Sequence, residues 1–234
     1  MIYTALAAGG IGRRMGAAIP KHFLEINGKP IIILTAEKFY DLSDRLFVGV
    51  SDNKKAYTKE LFEKFNLSEK TEVVTGGENR METIYNILNE IEAKRSVTDN
   101  DIVITHDAVR PFVSKEIILE NINLCEKYSA AGTFVKTIDT ICTSQDGGFV
   151  SSVPGRNLLY NVQTPQTVNF KLLKNILEKH IGDFEKYTDL CGLLCSEGIK
   201  TAMVNGEYSN IKITTPSDLK FAEGFTEKNK KEGL

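Results

Sequence analysis

The sequence predicts an α/β fold: a Rossmann-like, mostly parallel twisted sheet with helices on both faces, plus a projecting β-arm. Three observations predict it. Apolar strand-like runs alternate with helix-period segments along nearly the whole chain, the pattern of a parallel sheet built from βα units. A glycine- and cation-rich loop follows the first apolar run, where such sheets hold ligands. The 234 residues, with 41% hydrophobic and 26% charged content, fit one large soluble domain able to bury a core unaided. We read residues 1–234 as a single domain carrying an arm at about 139–156.

The elements follow in order. Ile2 to Ala8 is a buried strand. Ile31 to Tyr40 is helical, with Pro30 suited to its start. Arg45 to Ser51 is the second strand and Ala56 to Phe65 an amphipathic helix. Thr71 to Thr75 is a short strand ending at Gly76-Gly77. Met81, Ile84, Tyr85, Leu88 and Ile91 then recur at helical spacing. Asp101 to Thr105 is a strand, Ser114 an N-cap for a helix to about Tyr128, and Ala131 to Ile138 another strand. Around Gln145-Asp146-Gly147-Gly148 two short β-prone runs signal a hairpin. An arm of this kind has little core of its own, so it is expected to pack on a second copy, giving a homodimer. The chain returns through Tyr160 to Gln163, then helices at Asn169 to Lys179 and about Tyr187 to Glu197, a strand at Thr201 to Val204, and a last helix opened by Pro216. The lysine-rich end from Thr226 is expected to fray.

Charge and cysteine usage exclude several function classes. A net charge of −2 gives no whole-molecule attraction to nucleic acid or membrane, so any anion site is local. The spacing of Cys125, Cys142, Cys191 and Cys195 fits no zinc pattern, and the expectation is buried, inert thiols. With no signal segment and no long apolar run, a cytoplasmic location is expected.

The loop after the first strand, Ala8-Gly9-Gly10-Ile11-Gly12-Arg13-Arg14-Met15-Gly16, closed by Pro20-Lys21, holds four glycines and three fixed cations between Gly9 and Lys21. Glycine lets backbone N–H groups approach a polyphosphate, and Arg and Lys supply charge where it develops in phosphoryl or nucleotidyl transfer. No Gly-Lys-Ser/Thr follows at P-loop spacing, and Met15 stands where a dinucleotide fingerprint needs its third glycine. A nicotinamide oxidoreductase and a nucleotide-binding module without catalysis are the alternatives from other classes. Two further loops face the same sheet edge: Gly76-Gly77-Glu78-Asn79-Arg80 and His106-Asp107-Ala108-Val109-Arg110-Pro111.

These motifs, with Pro20-Lys21-His22-Phe23-Leu24, Gly28-Lys29-Pro30, Gln163-Thr164-Pro165-Gln166 and Asn210-Ile211-Lys212-Ile213-Thr214, resemble the cytidylyltransferases that couple CTP to a sugar-alcohol phosphate, over about residues 2 to 224. The family has a branch acting on 2-C-methyl-D-erythritol 4-phosphate, of isoprenoid synthesis, and one acting on D-ribitol 5-phosphate, which supplies CDP-ribitol for teichoic acid or capsule. Gly9 in Ala8-Gly9-Gly10, the stretch Thr137-Ile138-Asp139-Thr140-Ile141 and Gly206 to Lys212 look more like the ribitol branch, so CDP-ribitol synthesis is the expectation and the methylerythritol reaction the alternative.

The resemblance implies roles. Arg14 and Lys21 would stabilise charge at the α-phosphate. Ala7, Ala8, Gly9, Gly10, Gly12, Gly77, Glu78, Arg80 and Thr83 would bind CTP. Asp107, Arg156, Thr164 and Lys212 would serve the acceptor. A Mg²⁺ ion would bridge the triphosphate, with Asp107 as its protein ligand if it has one. His22 stands where the family usually has Gln and is not read as a base. Pro154-Gly155 could shift Arg156 from the family's arrangement.

Overall fold

The computed structural model describes residues 1–9 and 19–232, with side chains through residue 226. Nine strands and seven α-helices are defined among them. The strands are β1 (Ile2–Ala7), β2 (Glu25–Ile26), β3 (Lys29–Pro30), β4 (Arg45–Val50), β5 (Thr71–Thr75), β6 (Ile102–Asp107), β7 (Ala130–Lys136), β8 (Tyr160–Asn169) and β9 (Ala202–Asn205). The helices are α1 (Ile31–Tyr40), α2 (Lys55–Lys64), α3 (Arg80–Lys94), α4 (Lys115–Tyr128), α5 (Phe170–Lys179), α6 (Leu190–Ser196) and α7 (Pro216–Glu232). Seven strands form one sheet in the order β5-β4-β1-β6-β8-β7-β9, and β2–β3 form a small ribbon. Every pairing in the large sheet is parallel except those of β8, which runs against both β6 and β7.

The two faces are covered as the strand pattern requires. Along β1, Leu6 joins the cluster under α1, α2 and α4, whereas Tyr3 and Ala5 join the cluster under α3, α5 and α6. Strand side chains alternate between faces, so a run apolar at every position is what a sheet covered on both sides needs. Tyr3 sits edge-on to Phe47 and Phe170, with centroids 6.3 and 6.0 Å away. A third cluster of Ile26, Ile31, Val109, Ile213 and Ala222 seats the β2–β3 ribbon and α7 against the sheet edge.

Most expected elements lie within one or two residues of their observed limits. Four differ in instructive ways. The fourth parallel strand extends through His106 and Asp107, which therefore end β6 instead of opening its loop. Ser114 occupies the N-cap of α4, but its hydroxyl bonds Glu207 Oε1 at 2.7 Å and makes no cap hydrogen bond. The last helix continues to Glu232, past the point where fraying was expected. The return segment is a ten-residue interior strand, β8, despite Pro165. Its ladder with β7 jumps from the Gly132–Gln166 pair to Thr133–Gln163, so Thr164 and Pro165 bulge out of register. Proline, lacking an N–H, is tolerated at such a bulge. The Thr133 hydroxyl, itself accepting from Asn121 Nδ2 at 2.9 Å, donates to the Pro165 carbonyl at 2.8 Å.

The arm is a sparse hairpin. One antiparallel bridge, Thr143–Ser152, closes it, and Asp146 Oδ1 accepts the Gly148 and Phe149 amides at its turn. All four cysteines are free, but only Cys125 is buried; Cys142 and Cys195 are exposed, because one lies on the arm and the other on the outer side of the short α6. Among the described residues, no helix is long and apolar enough to cross a membrane.

Candidate functional site

The parallel strands deliver their carboxyl ends to one edge. Ala7, the last residue of β1, lies in register with Gly49 of β4 and Asp107 of β6. A pocket opens there. Among the described residues it is lined by Ala7, Ala8 and Gly9, by Lys21 and His22, by Glu78, Asn79, Arg80 and Thr83, and by Asp107, Val109 and Lys212. A second pocket adjoins it, lined by Arg110, Val162, Gln163, Thr164, Gln166, Thr188 and Asp189. Arg80, Asp107 and Lys212 line both.

The first chamber is shaped by backbone. Asn79 caps α3, its Oδ1 accepting the Glu82 amide at 2.9 Å, and Glu82 Oε2 accepts the Glu78 amide at 2.7 Å. These bonds satisfy donors that a helix start leaves open. The side chain of Glu82 then lies where a Cβ on Gly77 would sit, within 2.3 Å of its Cγ, so this turn requires glycine. Thr83 is the pivot of the chamber. It is fully buried, its hydroxyl donates to the Asn79 carbonyl at 2.8 Å, and it accepts the Gly77 amide at 3.0 Å. A Cβ on Gly9 would approach that hydroxyl to 2.9 Å and the Gly77 carbonyl to 3.1 Å. Gly9 thus has a packing reason in this chain, the close approach of Thr83 and the Gly77 carbonyl. Thr83 shapes the loop, with its hydroxyl proton and one of its two lone pairs engaged by the Asn79 and Gly77 bonds.

The second chamber is built around one carboxylate. Asp107 Oδ1 accepts from Arg80 Nε at 3.2 Å, and Oδ2 accepts from Arg110 Nε and Lys212 Nζ, each at 3.1 Å. Burial alone would raise this carboxyl, but Arg80, Lys212 and Arg110 together hold it well below the usual carboxylate range. Three cations around one anion leave local positive charge in a chain whose net charge is −2. That surplus suits a polyanionic ligand. The β8 bulge brings Thr164 to the same point, where its hydroxyl accepts the Asp107 amide at 3.2 Å. Arg80 Nη2 donates to Thr105 Oγ1 at 3.3 Å, and its Nη1 is buried without a partner among the described residues.

Both histidines at this edge are neutral. His106 is fully buried against Phe39, its Nε2–H donates to the Arg110 carbonyl at 3.0 Å, and burial pushes its pKa down to about 3. Burial, with Lys21 and Lys54 nearby, pushes His22 down to about 4.

Of the residues singled out from sequence, Ala7, Ala8, Gly9, Lys21, Glu78, Arg80, Thr83, Asp107, Thr164 and Lys212 line these chambers. Gly77 lies in the loop that shapes the first. Gly10, Gly12 and Arg14 lie outside the described residues. Arg156 does not line either chamber: it starts a short turn at the base of the arm, where its Nη1 donates to the Ile138 carbonyl at 3.2 Å. The sequence reading assigned no role to Arg110, Gln163, Gln166 or Asn210, although all stand in the quoted motifs. Thr188 and Asp189 carried no sequence signal.

An open α/β sheet with a glycine-shaped chamber joined to a cation-rich one defines a nucleotidyltransferase-type fold. The chain matches the family model of IspD, 2-C-methyl-D-erythritol 4-phosphate cytidylyltransferase, over residues 2–228. It is similar to the structure of 4-diphosphocytidyl-2C-methyl-D-erythritol synthase from Anaerococcus prevotii, at 30% identity and TM-score 0.82, with 97% of this chain and 96% of that one covered. The Francisella tularensis 2-C-methyl-D-erythritol 4-phosphate cytidylyltransferase matches at 30% identity and TM-score 0.79, over 95% and 98%. The Thermus thermophilus protein of the same name shares the fold at 24% identity and TM-score 0.76, over 97% and 100%. The chain belongs to the IspD family of CTP-dependent cytidylyltransferases. These relatives all bear the methylerythritol name, and none is named for the ribitol phosphate expected from sequence.

Proposed function

We propose that the protein transfers CMP from CTP to 2-C-methyl-D-erythritol 4-phosphate, releasing pyrophosphate. The observation that carries this reading is the pair of adjoining chambers that share Arg80, Asp107 and Lys212. CTP occupies the glycine-shaped chamber and the polyol phosphate the cation-rich one. An acceptor phosphate oxygen attacks the α-phosphorus in line; that P–O bond forms as the bond to the β-phosphate oxygen breaks. The nucleophile is already an anion, so no general base is needed, in keeping with the two neutral histidines. Lys21 and Arg14 stabilise charge developing at the α-phosphate, and Lys212 holds the acceptor phosphate.

The chemistry fits a Mg²⁺ held mainly by triphosphate oxygens. Both oxygens of Asp107 already accept from cations, and no group of three or more metal-ligating side chains occurs among the described residues. Bound there, the ion would neutralise phosphate charge.

A second reading, ribitol 5-phosphate as acceptor, is favoured by the stretches Thr137 to Ile141 and Gly206 to Lys212. Pyrophosphate release with CTP, Mg²⁺ and each acceptor in turn decides between them. Release with methylerythritol phosphate alone supports the first reading. Release with ribitol 5-phosphate alone replaces it with the second, and release with neither overturns both.

The arm is proposed to mediate homodimerisation. Phe149 and Val150 near its tip are 81% and 65% exposed, and Leu158 at its base 77%. Large apolar side chains exposed along an arm with little core of its own suit a contact with a second copy. Sedimentation of wild type and Phe149→Ser should give a dimer and a weakened dimer; a wild-type monomer would refute the arm's role.

A further inference from the structure

The coil between β9 and α7, residues 206–215, carries Lys212 outside any strand ladder. Backbone bonds anchor it at Gly206, to the Phe134 carbonyl at 2.7 Å, and at Ile213, to the Val109 carbonyl at 3.0 Å, and side chains hold the stretch between. Asn210 is fully buried two residues before Lys212. Its Nδ2 donates to the Thr164 carbonyl at 2.9 Å and to Gln163 Oε1 at 3.3 Å. Its main-chain carbonyl accepts from Arg110 Nη1 at 2.8 Å. Gln163 completes the frame, its Nε2 donating to the Glu207 carbonyl at 2.8 Å.

We propose that Asn210 is a positioning residue for acceptor-phosphate binding: it registers the coil that carries Lys212 against the β8 bulge and Arg110. The buried amide thereby ties the coil that carries Lys212 to the Thr164 segment, and the main-chain carbonyl of the same residue ties it to Arg110; the three segments are far apart in sequence. Both partners of its Nδ2 are oxygens that only accept, so an amide, and not a carboxylate of the same shape, is required. Misplacing a binding cation by about 1 Å costs up to about 100-fold. Among the described residues the frame touches the first chamber through the shared Asp107, which accepts from Arg110 Nε and donates its amide to the Thr164 hydroxyl. It does not touch that chamber through the Gly77, Asn79 and Thr83 bonds that shape it, so the effect falls mainly on the acceptor.

The inference rests on the proposed reaction, and the test separates the two. Steady-state constants are measured for wild type, Asn210→Ala, Asn210→Asp, Gln163→Met, Lys212→Met and the double variant Asn210→Ala/Lys212→Met. Wild type that transfers CMP to neither acceptor removes the reaction and the inference together. With an active wild type, Asn210→Ala and Gln163→Met should raise the acceptor KM about 10- to 100-fold and leave the CTP KM within about twofold. Asn210→Asp should be at least as impaired as Asn210→Ala. The double variant should be no worse than Lys212→Met alone within about twofold, because both changes act through one ammonium group. An unchanged acceptor KM, an equal rise in both KM values, or multiplying penalties overturns the inference alone. If Asn210→Ala does not fold, Gln163→Met carries the test; if neither folds, Asn210 serves folding and the proposal fails.

Discussion

The two chambers meet at Asp107 but are built by opposite means. On the CTP side, shape comes from glycines that let backbone segments close around one threonine, and the hydrogen bonds are local. Thr83, Asn79, Gly77 and Glu82 all lie within seven residues. On the acceptor side, shape comes from buried polar side chains reaching across the chain. Arg110 bonds Asn210 over 100 residues, and Asn210 reaches Thr164 over 46. A chamber made of backbone tolerates little change at its glycines. A chamber made of side-chain pairs fails instead through partners left unsatisfied in a buried site.

The largest effect should come from the shared element. Asp107→Asn leaves Arg80, Arg110 and Lys212 facing one another without a counter-charge. Stability should fall by about 3–5 kcal/mol in urea unfolding, because breaking a buried ion cluster strands its charges. Transfer should be lost with both substrates bound poorly; an effect on one KM alone would mean that Asp107 serves only one chamber. Lys21→Ala should come next, lowering kcat about 10²–10³-fold, as removal of a transition-state donor does, with little change in either KM. A kcat within a few-fold of wild type would move Lys21 from catalysis to binding.

Thr83→Val keeps the volume and strands the Gly77 amide. It should cost about 1–3 kcal/mol of stability and raise the CTP KM, with the acceptor KM unchanged. The smallest effect is the pH response of His106. Its folded pKa, about 3, lies below the usual histidine value, so the folded state binds fewer protons. Its contribution is complete above about pH 6.5 and is lost as pH falls toward 3. His22, at about 4, acts in the same sense. Thermal stability should therefore drop on acidification through this window. His106→Gln, whose amide can still donate to the Arg110 carbonyl, should flatten the slope by up to about one proton; an unchanged slope would show that other groups control it.

The same contrast explains what the sequence made legible. The parallel half of the sheet and the glycine chamber were readable because their signals are local: apolar runs, helix-period spacing, Gly76-Gly77 before α3. Asp107 and Lys212 were found through the motif resemblance, yet their contact across the site could not be read from spacing. The reversed β8 was missed because Pro165 argues against an interior strand, and only the bulge opposite Gly132 and Thr133 makes it acceptable. Gly9 was read for its bearing on the acceptor, and its packing against Thr83 could not be read from spacing. Arg110 and Asn210 stood in quoted motifs without a role, because a hydrogen bond between residues 100 apart leaves no local pattern.

The central claim is that CTP and acceptor occupy separately built chambers joined at one ion cluster. The most direct measurement is the pair of KM values for Thr83→Val and Gln163→Met, each determined with the other substrate saturating. The account predicts a crossed result: Thr83→Val raises the KM for CTP alone, and Gln163→Met, at a residue that lines the acceptor chamber and not the CTP one, raises the KM for the polyol phosphate alone. Parallel rises in both KM values for both variants would contradict it.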